Sequence, residues 1–314
     1  MKGARRTDMT IEELDRRFGA PGRIAFRTGH CGYPEAVLAN MYGTATVALL
    51  GANVLSYRPT GHSETIFRPA KRDYLRGESF HGGVPVCWPQ FGRLSIEGMA
   101  QHGFARMMPF AVRSTKYTEE MTEIVLALVS DEETKKVWPH DFDLEVRITL
   151  SMKLNLVLVT KNTGNAAFDF TAGFHPYLLV RDRDGVTVKG LAGCPYVYAE
   201  DMSDHVLSGD LAMTAATDHV FSLPPAPKHE FAVVDPGLRR AVAMASSGNT
   251  KAVVWNPGPE GRLPDFGPDD WRRFVCVEPV TSWPKAGRSL GPGETHELAL
   301  AIQSVAEEPG GDAK

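Results

Sequence analysis

The 314-residue chain has little of what marks several common classes of protein. No window supplies eighteen uncharged apolar residues, so no helical membrane span is expected, and the opening MKGARRTDMTIEELDRRFG is basic without the apolar run of a secretory leader. Only four cysteines occur, Cys31, Cys87, Cys194 and Cys276, far apart and without a CxxC pair, which argues against a zinc knuckle or a disulfide scaffold and for reduced thiols in the cytoplasm. Charge of one sign is also missing: 34 basic against 38 acidic side chains leave −4, so no broad cationic field invites nucleic acid or a membrane surface. GxGxxG and GxxxxGK[ST] phosphate cradles are absent, and no two of the ten histidines have the HxH spacing of a cupin-like metal site. No metal is expected. What remains is a monomeric protein whose partner is a small molecule.

What the chain does contain is strand after strand. Hydrophobic residues make up 43 % and charged residues 23 %, enough for a large core. TVALLGANVLSY (46–57), TEIVLALVSD (122–131) and LEVRITLSMKLNLVLVTKN (144–162) are rich in β-branched and aliphatic residues, the last with clear period-two alternation. EFAVVDPGLRRAVAMAS (230–246) reads as two strands turning at Asp235-Pro236-Gly237, and KAVVWNPG, RFVCVEPV and HELALAIQSV give three more. One short helix is expected over Thr10 to Phe18, where Thr10 and Glu13 have capping-box spacing. Without alternating long helices, the fold class is all-β, a large antiparallel β-sandwich. The expected organisation is a helical segment over 1–30 packed on one domain, 31–306, followed by a fraying tail, EEPGGDAK, at 307–314.

Three histidines sit in suggestive company: His81 beside two glycines, His102 in QHGFAR (101–106) next to Gln101 and Arg106, and His175 in GFHPYLLV (173–180). A histidine taken alone is more often a bystander making one local hydrogen bond. Glu278 says more, because it interrupts FVCVEPV, where its neighbours favour burial; a carboxylate there is paired, functional, or turned to the wet face of an edge strand. Partial burial near a strand end would raise its pKa towards the range of a general base or acid. Asp218 in AATDHVFSL is weaker, since an aspartate before a strand often only caps a turn. Together these dispersed groups suit proton transfer on a sugar ring: opening a cyclic aldose takes a proton from the anomeric hydroxyl and gives one to the ring oxygen, which suggests a base and an acid on opposite sides of the ring.

The segments HGGVPVCWPQFG (81–92), QHGFAR, GFHPYLLV, TDHVF, VVWNPG and DFGPDDWRRFVCVEPV, in this order from about Val47 to Ser304, resemble the hexose-6-phosphate mutarotases (glucose-6-phosphate 1-epimerases) of the aldose 1-epimerase superfamily. The resemblance implies a galactose mutarotase-like supersandwich, an isomerase that interconverts the α and β anomers of a hexose 6-phosphate, and no cofactor. It implies His175 as general acid for the ring oxygen, Glu278 as base for the anomeric proton, His102 beside the ring oxygen, Arg106 on the phosphate and Asp218 on sugar hydroxyls. In HGGVPVCWPQFG, Gly82 and Gly83 would let the backbone approach a ligand, Pro85 and Pro89 would stiffen the loop, and Trp88 and Phe91 would wall the sugar, unless Trp88 only plugs the sandwich end. His81 stands where phosphate-specific relatives usually carry arginine, which weakens the hold on an anion unless Arg68, Lys71, Arg72 or Arg76 takes over. His175-Pro176-Tyr177 is also nearer the branch acting on unphosphorylated aldoses. Three alternatives therefore stay open: an aldose 1-epimerase for unphosphorylated sugar, a glycoside hydrolase pairing Glu278 with Asp218, and a non-catalytic carbohydrate-binding or sensing protein.

Overall fold

The computed structural model describes residues 9–29, 32–69, 78–93, 96, 98–261, 263–283 and 287–306. Cys31, Lys71, Arg72, Arg76 and the 307–314 tail lie outside the described residues. Two large sheets stack face to face. The nine-stranded sheet runs, across its width, through Leu211–Ala212, Thr187–Lys189, His229–Asp235, Arg240–Ser247, Thr295–Ala306, Leu154–Asn162, Phe142–Leu150, Thr122–Val129 and Ala111–Tyr117. The eight-stranded sheet runs through Asp204–Val206, Pro195–Tyr198, Thr217–Ser222, Lys251–Asn256, Phe274–Val280, Gly173–Phe174 and Val86–Cys87, with Tyr177–Leu179 also on Phe274–Val280. Every named pairing is antiparallel. No helix among the described residues is long and apolar enough to cross a membrane.

Period two decides what each sheet buries. In Phe142–Leu150 every second side chain, Phe142, Leu144, Val146, Ile148 and Leu150, is buried, while Asp143, Glu145 and Arg147 face out and pair with one another and with Arg113. The eight-stranded sheet is covered on both sides. Phe221, Ala252, Val254, Val275 and Val277 join the core between the sheets, whereas Val220, Val253, Cys276 and Val280 form clusters on the far side. That far face carries the functional residues.

Several expected elements differ in their limits. The 46–57 run is a hairpin, Gly43–Ala48 and Asn53–Pro59, because Gly51 and Ala52 take positive φ (73° and 50°) and turn the chain. The 144–162 run likewise folds back at Ser151-Met152-Lys153, whose Ser151 N–H bonds the Lys153 carbonyl. The helix is Ile11–Phe18, capped as expected by reciprocal Thr10 and Glu13 bonds, with Leu14 and Phe18 buried. Of the described residues that follow it, Ile24–Thr28 is a strand that buries Ile24 and Phe26 by alternation and pairs with Pro34–Asn40. A second short helix, Glu132–Val137, follows its own capping box at Asp131 and Thr134.

Gly83 takes φ +76°, and a Cβ there would strike the Asn53 side chain and the Val54 carbonyl. Its close approach is therefore to the chain's own strand rather than to a ligand, and Asn53 fixes it by accepting from Val84 N–H and donating to the Gly82 carbonyl. Gly83→Ala is expected to destabilise the fold by about 1–3 kcal/mol, the range for a non-glycine residue held left-handed. Denaturant unfolding reads this directly; an unchanged midpoint would show that the segment relaxes without strain.

Candidate active site

One register places the central pair. Gly173 pairs with Val280 and Tyr177 with Cys276, so both contacts obey the same antiparallel register, and residue 175 between them falls opposite residue 278. Pro176 lacks an N–H, and the backbone N–H groups of His175 and Tyr177 turn instead to the carbonyls of Pro85 and Gly83. The HGGVPVCWPQFG stretch thereby braces the histidine from its other side. On Phe274–Val280, Val275 and Val277 take the core, which sends Cys276 and Glu278 to the opposite face. Cross-strand rows complete that face: Val220, Val253 and Glu278 form one, and Asp218, Trp255 and Cys276 the next.

Above this face lies a cavity of about 880 Å³. His175, Glu278 and Asp218 line its floor; His102, Arg106, Gln101 and His81 come in from loops around it. Glu278 is 1 % exposed and sits in the middle of an interior strand, not at a wet edge. Its Oε1 is 3.4 Å from His175 Nε2, while Oε2 and His175 Nδ1 are buried with no hydrogen-bond partner among the described residues. The acid and base candidates thus stand side by side, not across a ring from one another. Sugar geometry explains why this suffices: the anomeric oxygen and the ring oxygen are both bonded to C1, so one edge of the pyranose offers both.

Electrostatics favour the uncharged forms of Glu278, His175, Asp218 and His102. Burial, reinforced by Asp218, pushes the Glu278 carboxyl well above the usual carboxylate range, although Arg106 opposes the shift. Burial, then His102 and Arg106, pulls the His175 imidazole well below its ordinary value. Asp218 is raised to about 6 by burial, and His102 is lowered to about 3 by burial and then Arg106. His102 is neutral; Gly92 N–H lies 3.2 Å from its Nδ1 and the Gln101 side-chain nitrogen 3.3 Å from its Nε2. The residue adopts φ +63°, held there by its own N–H bond to the Gly92 carbonyl.

Aromatic rings fix these groups. Tyr177 stacks on His175 with centroids 4.8 Å apart, Trp255 meets the same imidazole edge-on at 5.6 Å, and Phe91 meets His102 at 4.9 Å. Arg106 donates to the Gln101 carbonyl at 2.8 Å, its Nε is buried with no partner among the described residues, and Arg93 Nε reaches Gln101 Oε1. His81 is tied to Asp265: its backbone N–H and ring Nδ1 each lie 2.8 Å from the carboxylate. Burial alone would raise Asp265, but these bonds hold it below the ordinary aspartate value.

Trp88 is a correction. It is fully buried, wedged among Phe104, Trp138 and Phe142 at centroid distances of 4.5–5.6 Å, and does not reach the cavity. Alternation from Val86 sends Trp88 into the core and only Cys87 towards the cavity side, so the plug reading holds and Phe91 alone of the two walls the site. Sequence reasoning passed over Trp255, Tyr177, Asp265 and Cys276. Cys276 was within reach, because period two puts residues 276 and 278 on one face.

The chain is similar to known proteins along most of its length. The sequence profile of the family described as "Aldose 1-epimerase" matches residues 35–303. A protein of Escherichia coli strain K12 named "Putative glucose-6-phosphate 1-epimerase" is 33 % identical over 266 residues, 82 % of this chain and 86 % of its own length. One of Cenchrus ciliaris with the same name is 27 % identical over 274 residues, 83 % of this chain and 81 % of its own. The crystal structure of a Salmonella typhimurium protein called a "putative mutarotase" superposes with a TM-score of 0.83 at 29 % identity, covering 92 % of this chain and 96 % of that one. A match along nearly the whole sandwich, at this level of identity, shows that the chain belongs to the aldose 1-epimerase family.

Proposed function

We propose that the protein interconverts the α and β anomers of hexose 6-phosphates, with Glu278 and His175 as its proton-transfer pair. The observation that carries the reading is the 3.4 Å contact between a carboxyl and an imidazole, both otherwise unpartnered, on the floor of a sugar-sized cavity. Burial drives both groups towards neutrality, so the pair holds one proton between them, resting on the carboxyl. This inverts the expected resting state of an ionised Glu278, yet the chemistry is the same for either tautomer. One member takes the proton from the anomeric hydroxyl as the C1–O5 bond breaks, and the other gives its proton to O5. The aldehyde rotates about C1–C2, O5 adds back to the other face of C1, and the two protons return. The pair carries one proton at every stage.

The surrounding groups fit the parts that remain. His102 lines the cavity beside the pair, suited to contact the ring oxygen, and Asp218 one row away is suited to accept from sugar hydroxyls. Tyr177, Trp255 and Phe91 supply dry walls that keep the exchange from leaking to water. For the phosphate, Arg106 is the anchor, with Arg93 beside it on the cavity lining. His81 contributes little there, since its ring is engaged by Asp265. The names of the relatives support a phosphorylated substrate, and family membership weighs against both the hydrolase and the pure binding module.

In NMR of freshly dissolved α-glucose 6-phosphate, the protein is expected to speed the appearance of the β signal. Glu278→Gln should lower the catalysed rate by about 10²–10⁴-fold, the usual worth of a positioned acid–base group. A wild-type trace matching the protein-free blank would end the assignment for that substrate.

The shared proton also sets a pH profile. Below the lowered His175 value both groups are protonated and no base remains; above the raised Glu278 value both are bare and no acid remains. The catalysed kcat/KM should therefore decline on an acid limb well below 6.5 and on an alkaline limb well above 4.5. An acid limb centred at 6.5 or higher would indicate a base of ordinary imidazole pKa and exclude the shared-proton state.

Arg106→Ala should reduce kcat/KM for the phosphorylated hexose by about 10–100-fold, as for a lost hydrogen bond to a charged group, and should affect free hexose far less. Equal losses on the two sugars would remove Arg106 from the phosphate.

A further inference from the structure

The notion that scattered residues cannot form a ligand set does not survive the strand pairing. His175, Cys276 and Glu278 each bring one donor atom to a common point, with the imidazole nitrogen, the thiol sulfur and a carboxylate oxygen all within 4.8 Å of one another. We infer that this cluster is a tetrahedral binding site for a thiophilic divalent cation of the zinc type, and that the bound cation blocks the sugar site.

Three observations carry it. The His175 Nε2 to Glu278 Oε1 separation of 3.4 Å is long for a hydrogen bond but equals the edge of a tetrahedron with metal–ligand bonds of about 2.1 Å. A side-chain adjustment of about 1 Å closes the sulfur onto the same centre. The donor set of one nitrogen, one sulfur and one oxygen suits zinc, cobalt or cadmium, and not magnesium or calcium, which take oxygen. Finally, a divalent cation with one thiolate, one carboxylate and one neutral imidazole makes a complex of zero net charge, which a buried site tolerates and which the nearby Arg106 does not repel. The cavity leaves the fourth position to water. Binding displaces the protons of Cys276 and Glu278, so uptake strengthens as pH rises.

The binding rests on geometry alone; the blocking rests on the mutarotase reading, and one experiment separates them. Chelator-stripped protein is titrated with Co²⁺ and watched for thiolate-to-cobalt charge transfer and intense tetrahedral d–d absorption, then with Zn²⁺ to displace it. Both bands are expected in the wild type and unaffected by Mg²⁺; the charge-transfer band should vanish in Cys276→Ser. Glu278→Gln, nearly isosteric, should weaken cobalt uptake by more than about tenfold, the least that losing an orienting partner costs a metal site, and serves should the serine variant not fold. In parallel, Zn²⁺ should slow α-glucose 6-phosphate mutarotation reversibly to EDTA, and more than about tenfold less effectively in Cys276→Ser. No thiolate band in the wild type, or an undiminished band in Cys276→Ser, overturns the site. Cobalt bands in a protein that never exceeds the blank rate would overturn the sugar chemistry and leave the metal site standing.

Discussion

Glu278 is a carboxyl group almost wholly withdrawn from water, on the floor of the cavity and in the middle of a strand whose seven residues are all buried. Isolated, an ionised carboxylate there would cost several kcal/mol, and no arginine or lysine among the described residues forms an ion pair with it; its contact is an imidazole that burial also drives to neutrality. The site resolves the conflict by giving up charge. What remains is a donor and an acceptor that exchange roles, which is what an anomeric equilibrium asks of a catalyst working in both directions.

The sheet makes that arrangement affordable by serving two purposes at once. One face of the eight-stranded sheet closes the core with Val254, Val275 and Val277, and the other raises Asp218, Trp255 and Glu278 to the cavity, with Cys276 buried beside them. Strands paired on both sides are stiff supports, so the reacting groups inherit the rigidity of the core. Loops supply the rest: His102 is held by Gly92, and His81 by Asp265.

Much of this was legible in the sequence, for physical reasons. Alternation announced the strands, and Glu278 betrayed itself by breaking an apolar run. The limits of the elements were less readable, since a turn such as Ser151-Met152-Lys153 contains neither glycine nor proline and two strands therefore read as one. Trp88 and Gly83 were misplaced because composition does not say which way a stiff loop faces; only the pairing of Val86–Cys87 with Gly173–Phe174 decides that. Cys276 escaped because a buried thiol looks like any small hydrophobe.

The shared register of Gly173 with Val280 and Tyr177 with Cys276 has an evolutionary side. Gaining or losing a single residue anywhere between those two anchors, in either strand, would rotate one partner of the His175 and Glu278 couple into the greasy interior and strand the other. Descendants of this gene can lengthen or trim their hairpin tips, but these two short runs must be inherited letter for letter in length.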